Sequence, residues 1–599
     1  MNLSTHKKNI LFVILACISA FSFHCRFEIA MGGFAELPLL NVLDKLYNTF
    51  TKPELTDLLI VVGVYLLLRK LAAKEDTLRW RTFFFSMALS VLLLFAISFR
   101  KFNSAIFVLG NKYQFMLSAF CVLGFTVPLY ATLRLVEYLF CENTLSSKAD
   151  SPNHFLEKHL GLIGFTIIFL CWLPWILLNY PGSGCPDSMQ QLSQFLGDEV
   201  WDMHHPPLST LLMGGLFVIG RGIVNANFGF FLYCLFQTCT GAWIFSLSMK
   251  KLHQLGVPST WCLLGISYFA LTPFWGTYAQ WVEKDLLFAQ IVVLQAICML
   301  EVIRKKECTK KDMILLTTTS LLTSLLRHNG IYTVLPALLL LAVWLKGRSR
   351  RIAGTTLLTT FLVYEVIVKG FFPAIGLGRT TIVDALSIPF QQTARYVCEH
   401  TDEITDAERA AIEGSFVSYD IMFQYDPLIA DPIKNYCNGK NLDTYLKTWF
   451  QMFWKHPETY VAATFNLGYG YLAPVSQRIE AWIQGVYYDY MNELGLYHPF
   501  DIKYNHYLVY LWNCSMALPL IQYLASPGFY TWILLILAVM LFSKRRYEAL
   551  ILFVPGFMNL LVCLASPVAG TMRYALPTVA MTPLLIGWTW YALRTKRRD

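Results

Sequence analysis

HLGLIGFTIIFLCWLPWILLNYPGSGCPDSMQQLSQFLGDEVWDMHHPPLSTLL, residues 159–212, is the stretch that decides the architecture. Its first part, 159–179, is apolar for about 20 residues, the length that carries a helix across the hydrocarbon of a bilayer. The remainder, 180–212, holds Asp187, Asp198, Glu199 and Asp202 and no Lys or Arg. Pro181, Gly182, Gly184 and Pro186 force a tight turn off the helix end, and SMQQLSQFL then has the spacing of a short amphipathic helix. Acidic side chains are thereby held close to a membrane surface.

The same alternation of apolar run and polar loop extends over the whole chain. Its 599 residues are 56% hydrophobic and only 15% charged, where a soluble domain carries about 25% charged residues. The sequence therefore predicts an all-α polytopic membrane protein and excludes a disordered chain or an ordinary soluble one. The formal charge of +9 is read loop by loop as a topology signal, with no nucleic-acid partner: no basic arm or nucleic-acid motif is present. The 15 cysteines lie mostly inside apolar runs, where a thiol packs as a small hydrophobe, and they leave the redox compartment undetermined.

Placing Lys and Arg clusters on the cytoplasmic side gives about 14 spans in a cell membrane with both termini inside. They fall near 10–28, 55–73, 82–99, 114–134, 159–179, 227–248, 258–276, 286–303, 312–326, 331–345, 353–372, 529–543, 548–566 and 574–593. Lys7 and Lys8 before the first run resemble a signal peptide, but further spans come after it, so it is read as an uncleaved helix. The clusters Arg69–Arg81, Lys250–Lys251, Arg304–Lys311, Lys346–Arg351, Lys544–Arg546 and Arg594–Arg598 then all lie inside. Pro207–Gly220 and Tyr507–Leu524 would invert that pattern as spans and are read as interfacial or re-entrant. The resulting plan has an N-terminal four-helix region (1–158), a membrane core (159–372) with its first outer loop at 180–226, an extracytoplasmic helical cap with an interfacial segment (373–528), and a C-terminal three-helix region (529–599).

Chemistry-bearing residues collect at the outer ends of the spans. Asp187 is either a helix N-cap or a general base whose pKa partial desolvation raises. His204 and His205, adjacent on an extended backbone before Pro206 and Pro207, are poor joint metal ligands; either one, with Asp187 or Asp202, suits a cation or a substrate hydroxyl. The loop TPFWGTYAQWVEKDLLF puts Glu283, Lys284 and Asp285 at the mouth of a span beside Trp275, Tyr278 and Trp281. The rings suit an interfacial aromatic belt, whereas the charged triplet supplies a second carboxylate or a cation ligand. Arg327, His328 and Asn329 occupy one outer turn, and Arg573 with Tyr574 occupies another. Guanidinium groups there run against the positive-inside trend and suit a lipid phosphate, with plain headgroup contact as the simpler alternative. Gln190 is counted with the substrate-binding positions.

Asp187 after a span, HPPL at His205–Leu208, the second-loop acids and RYALP at Arg573–Pro577 together resemble the GT-C superfamily of membrane glycosyltransferases. YPG at Tyr180–Gly182 and RHNG at Arg327–Gly330 are also similar to a largely uncharacterised family of bacterial multispan proteins of the cell envelope. The resemblance covers roughly 159–599, so the first four helices stand outside it. It implies a GT-C-like helical bundle and transfer of a sugar from a polyprenyl-phosphate donor to a glycan, lipid or protein acceptor. Asp187, Asp202 or Asp285 would be catalytic, with Arg573, Arg327 and Lys284 on the departing phosphate. Because the paired-acid signature is missing from the first loop, the choice between Asp187 and Asp202 as base stays open, as does a divalent cation. Trp454, Tyr460, Tyr469 and Tyr471 would roof the cavity, or simply pack the cap. A transporter or flippase, or a glycan polymerase or ligase, is the competing class; the spans hold few ionisable groups, Glu365 being the clearest.

Overall fold

Runs of apolar residues punctuated by Pro, Gly and capping residues become helices, and a computed structural model shows a chain of helices with no named strand among the described residues. The structure describes residues 5–24, 37, 39–40, 43–44, 47, 54–74, 78–141, 154–378, 382–475, 489–499, 505–518 and 521–595. Parts of the expected first span (25–28), of the basic clusters (75–77 and 596–598), of the interfacial segment (519–520) and of the cap (379–381, 476–488 and 500–504) lie outside them. Among the described residues, eight helices are long and apolar enough to cross a membrane, and four shorter apolar helices accompany them. This is a helical, multi-pass membrane architecture.

The chain divides into two packed units. One comprises residues 1–145, 386–477 and 567–569. In it Thr5–His24, Leu55–Ala72, Trp80–Phe102 and the 30-residue Lys112–Cys141 helix pack closely. A Cβ at Gly124 would overlap the Ser22 hydroxyl, so only glycine allows that helix crossing. Arg134, buried, pairs with Glu137, which also holds Arg79 at 2.9 Å. The helices Ser387–Glu399, Asp406–Ser415, Leu442–Lys455 and Pro457–Leu472 complete this unit. Tyr469, Ala473 and Val475 share a core with Ala96 and Phe99. The segment 373–528, expected as one cap with an interfacial segment, falls in both units: 386–477 goes with the N-terminal helices, and 373–385 and 478–528 go with the other unit.

The second unit comprises residues 146–385, 478–566 and 570–599. At its centre is Lys284–Lys305, which buries 83% of its apolar window, whereas Gly347–Ala374 buries 17% and turns most of its surface outward. The central helix is mostly apolar around its circumference, as an enclosed helix is, with Gln290 and Gln295 as buried polar exceptions. Its interior amides donate across to neighbouring helices: Gln290 to the Gln237 carbonyl at 3.0 Å and Gln295 to the Ser320 hydroxyl at 3.3 Å. The short Pro207–Ile223 helix crosses Ala226–Gln254 where a Cβ on Gly220 would lie 2.6 Å from the Gly229 Cα. The expected span 258–276 is broken: Ser259–Leu271 ends at Thr272 and Pro273–Ala279 starts anew, because Pro273 disfavours helical geometry at the residue before it.

Candidate functional site

The site begins at a backbone junction. Gly182 has φ +123°, and a Cβ there would fall 2.7 Å from the Cys234 sulfur. Glycine at this point lets the chain leave the His154–Leu178 helix and run beside residues 281–282. Ser183 N–H donates to the Gln280 carbonyl at 3.0 Å, and Val282 N–H returns a bond to the Ser183 carbonyl at 2.9 Å. From within Ala226–Gln254, the Gln237 amide donates to the carbonyls of Ala279 (2.9 Å) and Trp281 (2.7 Å) and fixes the other side of the junction. Two helix N-termini are thereby set side by side: Pro186–Leu196 and Lys284–Lys305.

Cys185 is the N-cap of Pro186–Leu196, which places Asp187 in its first turn and not at the expected N-cap. A carboxylate there is favoured by the positive end of the helix dipole. Glu283 caps Lys284–Lys305 by accepting from the Lys284 N–H at 3.0 Å. Its other oxygen accepts from the Cys185 thiol at 2.9 Å, and its carbonyl accepts from the Tyr233 hydroxyl at 3.0 Å. Cys185 is held as a neutral thiol: burial, then the charges of Glu283 and Asp187, push its pKa well up.

Around these caps lie three carboxylates and three cations. Lys284 Nζ is 3.1 Å from Asp187 and 3.0 Å from Glu283. Arg573 reaches Asp187 at 2.5 Å and Glu283 at 3.1 Å, and its Nε donates to Asp285. Arg327 holds the other oxygen of Asp285 at 2.5 Å and stacks over the Tyr574 ring at 4.8 Å. The formal charges of Asp187, Glu283 and Asp285 against Lys284, Arg327 and Arg573 cancel. Asp285 is fully buried, while the Asp187 side chain remains 33% exposed. Asp187 is therefore the open edge of an otherwise enclosed ion cluster.

Pairing reverses one sequence expectation. Burial by itself would raise the Asp187 pKa, but Lys284 and Arg573 outweigh it and hold the carboxyl well below the ordinary range. In the resting protein Asp187 is an ionised partner of two cations, and the expected raised pKa is corrected.

The other candidates divide clearly. His205 accompanies the cluster: its Nε2 is 2.9 Å from the Gln190 amide oxygen, and burial, then Lys284, lowers its pKa to about 3. It is neutral, and Nε2–H is the donor to Gln190. Asp202 accepts from Gln194 at 3.1 Å and from the His204 N–H at 3.0 Å, which makes it a clamp on its own loop. The His204 ring meets that of His205 edge to face, with centroids 4.8 Å apart. His328 bonds the Met203 carbonyl at 2.8 Å, and burial lowers its pKa. Asn329 is the N-cap residue of Gly330–Trp344. A small recess of about 10 Å³ lies beside His328, lined mainly by apolar side chains such as Pro206, Leu325, Val368 and Phe372.

Two aromatic expectations change. Trp275, Tyr278 and Trp281 are buried in the unit's interior and form no outward belt; Arg573 lies 6.0 Å over the Trp281 ring. Tyr460, Tyr469 and Tyr471 are packed core residues, with Tyr460 donating to the Trp449 carbonyl at 2.7 Å, while Trp454 is exposed. Sequence reasoning missed Cys185, Tyr233 and Gln237. Cys185 was legible as the residue before Pro186 at a helix start; Tyr233 and Gln237 sit inside an apolar span and carry no such mark.

The profile of a family of unknown function, DUF6020, matches residues 200–599. The chain belongs to this family. Glu283, Lys284, Asp285, Arg327 and Arg573 lie within the DUF6020 match, whereas Cys185 and Asp187 precede it. No curated protein and no solved structure matches the chain.

Proposed function

We propose that this protein is a GT-C-type membrane glycosyltransferase that moves a sugar from a polyprenyl-phosphate donor to an extracytoplasmic acceptor. The observation that carries this reading is the ion cluster with Asp187 at its open edge, where Lys284 and Arg573 converge on the part-exposed acid of the cluster and Arg327 holds the buried Asp285 behind it. The 14-span plan with cytoplasmic termini belongs to the same reading and places that edge on the outer face.

A donor phosphate brings negative charge that competes with the carboxylates for Arg573 and Lys284. As those cations turn to the phosphate, Asp187 loses the partners that depress its pKa and becomes a better proton acceptor. It takes the proton of the acceptor hydroxyl while the acceptor oxygen bonds to the anomeric carbon. The bond from that carbon to the phosphate oxygen breaks, and Arg573, Arg327 and Lys284 neutralise the departing phosphate. A divalent cation would have to displace Lys284 and Arg573 from carboxylates they already pair with, so the side-chain cations take that role here.

The test compares surface glycans and lipid-linked sugar in cells with the wild-type protein, without it, and with Asp187→Asn. The expected result is normal insertion of the variant, loss of one surface glycan, and accumulation of its lipid-linked precursor on the outer face. Wild-type product from Asp187→Asn overturns the role of Asp187. A precursor trapped on the cytoplasmic face overturns transfer in favour of a transporter or flippase, and loss of assembled chains alone points to a polymerase or ligase.

A further inference from the structure

In the unit formed by 1–145, 386–477 and 567–569, two helix junctions meet at a pair of histidines. His400 ends Ser387–Glu399, and His456 joins Leu442–Lys455 to Pro457–Leu472. Their rings stack with centroids 3.5 Å apart and planes 11° from parallel. Carboxylates surround them: Glu403 is 2.9 Å from His456 Nε2, and Glu458 is 3.1 Å from His456 Nδ1. We propose that His400, His456 and Glu458 bind a divalent transition-metal ion of the zinc type, with Glu403 as fourth ligand or as the group that orients the histidines.

Hydrogen-bond accounting supports a cation here. The Thr459 hydroxyl donates its proton to Glu399 at 2.9 Å, so towards His400 Nε2, 3.1 Å away, it acts as acceptor. His400 Nε2 therefore carries the hydrogen, and in the neutral ring Nδ1 is a bare lone pair. That lone pair faces a Glu403 oxygen at 3.6 Å, too far for a hydrogen bond and acceptor against acceptor. A bound dication relieves that conflict.

Geometry and donor type agree. One ligand atom from each of His400, His456 and Glu458 lies within 4.8 Å of the others. Ligands at about 2.0–2.2 Å around a tetrahedral zinc are roughly 3.4 Å apart, so the three ligand atoms must draw together and the rings must tilt. Because each lone pair lies in its ring plane, ligation opens the stack from parallel. Two imidazoles with a carboxylate favour a zinc-type ion over magnesium or calcium, which take oxygen. Both histidines are helix-terminal, so the ion would tie the two junctions together.

The experiment uses full-length protein in detergent, stripped with chelator and titrated calorimetrically with zinc chloride, with magnesium chloride as the contrast. The expected result is one zinc per chain, a higher Tm with zinc, and no response to magnesium. Glu458→Gln, at an exposed position that folding tolerates, weakens zinc binding by about tenfold or more, and His456→Ala abolishes it. Absence of zinc binding by the wild type, or equal binding by wild type and both variants, overturns the proposal.

Discussion

Arg573 and Asp187, 386 positions apart in the chain, meet at 2.5 Å, and the same guanidinium reaches Glu283 and Asp285. One planar fork thus ties the start of the last long helix to the N-termini of two others. A lysine cannot serve three carboxylates in fixed directions. Under the proposed function, Arg573→Lys is expected to keep the protein folded while lowering glycan transfer by about a hundredfold or more. Transfer at the wild-type rate, measured on lipid-linked donor in membranes, removes Arg573 from the phosphate-binding role.

Asp285 is the buried centre of the cluster, shared by Arg327 and Arg573. Asp285→Ala strands the Arg327 guanidinium in an enclosed site while Arg573 keeps Asp187 and Glu283, and breaking such a buried pair costs about 3–5 kcal/mol. The double variant Asp285→Ala with Arg327→Met recovers part of this loss, because the stranded charge is gone. Thermal unfolding in detergent checks both, and a double variant no more stable than the single one contradicts the shared-carboxylate account.

His205 makes stability pH-dependent. Its folded pKa is lowered to about 3, against an unfolded value near ~6.5. Between these values the unfolded chain binds the extra proton, so stability is complete above about 6.5 and falls as pH drops towards 3, by about 1.4 kcal/mol per unit at most. Asp187, with its depressed pKa, adds loss only below about 4, where the unfolded carboxyl titrates. His205→Gln is therefore expected to flatten the Tm profile between roughly pH 4.5 and 6.5. An unchanged slope there assigns the effect elsewhere.

Gly182 sets the junction that aligns the two helix starts. Gly182→Ala places a Cβ 2.7 Å from the Cys234 sulfur on a backbone with φ +123°. Strain of this kind costs about 1–3 kcal/mol before the clash is added. Cys234→Ala in the same chain removes the clash and leaves the backbone strain, so Tm is expected to recover partly. Full stability of Gly182→Ala alone contradicts the strain argument.

Much of the site was legible residue by residue. Glu283, Lys284, Asp285, Arg327 and Arg573 stand out because charge at the end of an apolar run is costly without a purpose. Asp202 stood out equally and proved to be a loop clamp, since spacing shows that a carboxylate is near a turn but not which donors will satisfy it. The break at Pro273 was legible in the residue itself, whereas the enclosure of Trp275 and Trp281 was not: an aromatic near a span end has the same sequence whether it faces lipid or core.

By itself the sequence determined a many-helix membrane chain, the turn that throws Asp187 off a span, and a short set of charged residues at helix ends. Apolar run length, Pro and Gly are local quantities, and they act over a few residues. Only the tertiary structure decided that three acids and three bases from separated stretches neutralise one another, and that Asp187 is thereby held ionised. Such pairing depends on distances of about 3 Å between groups hundreds of residues apart, and no local pattern encodes those distances.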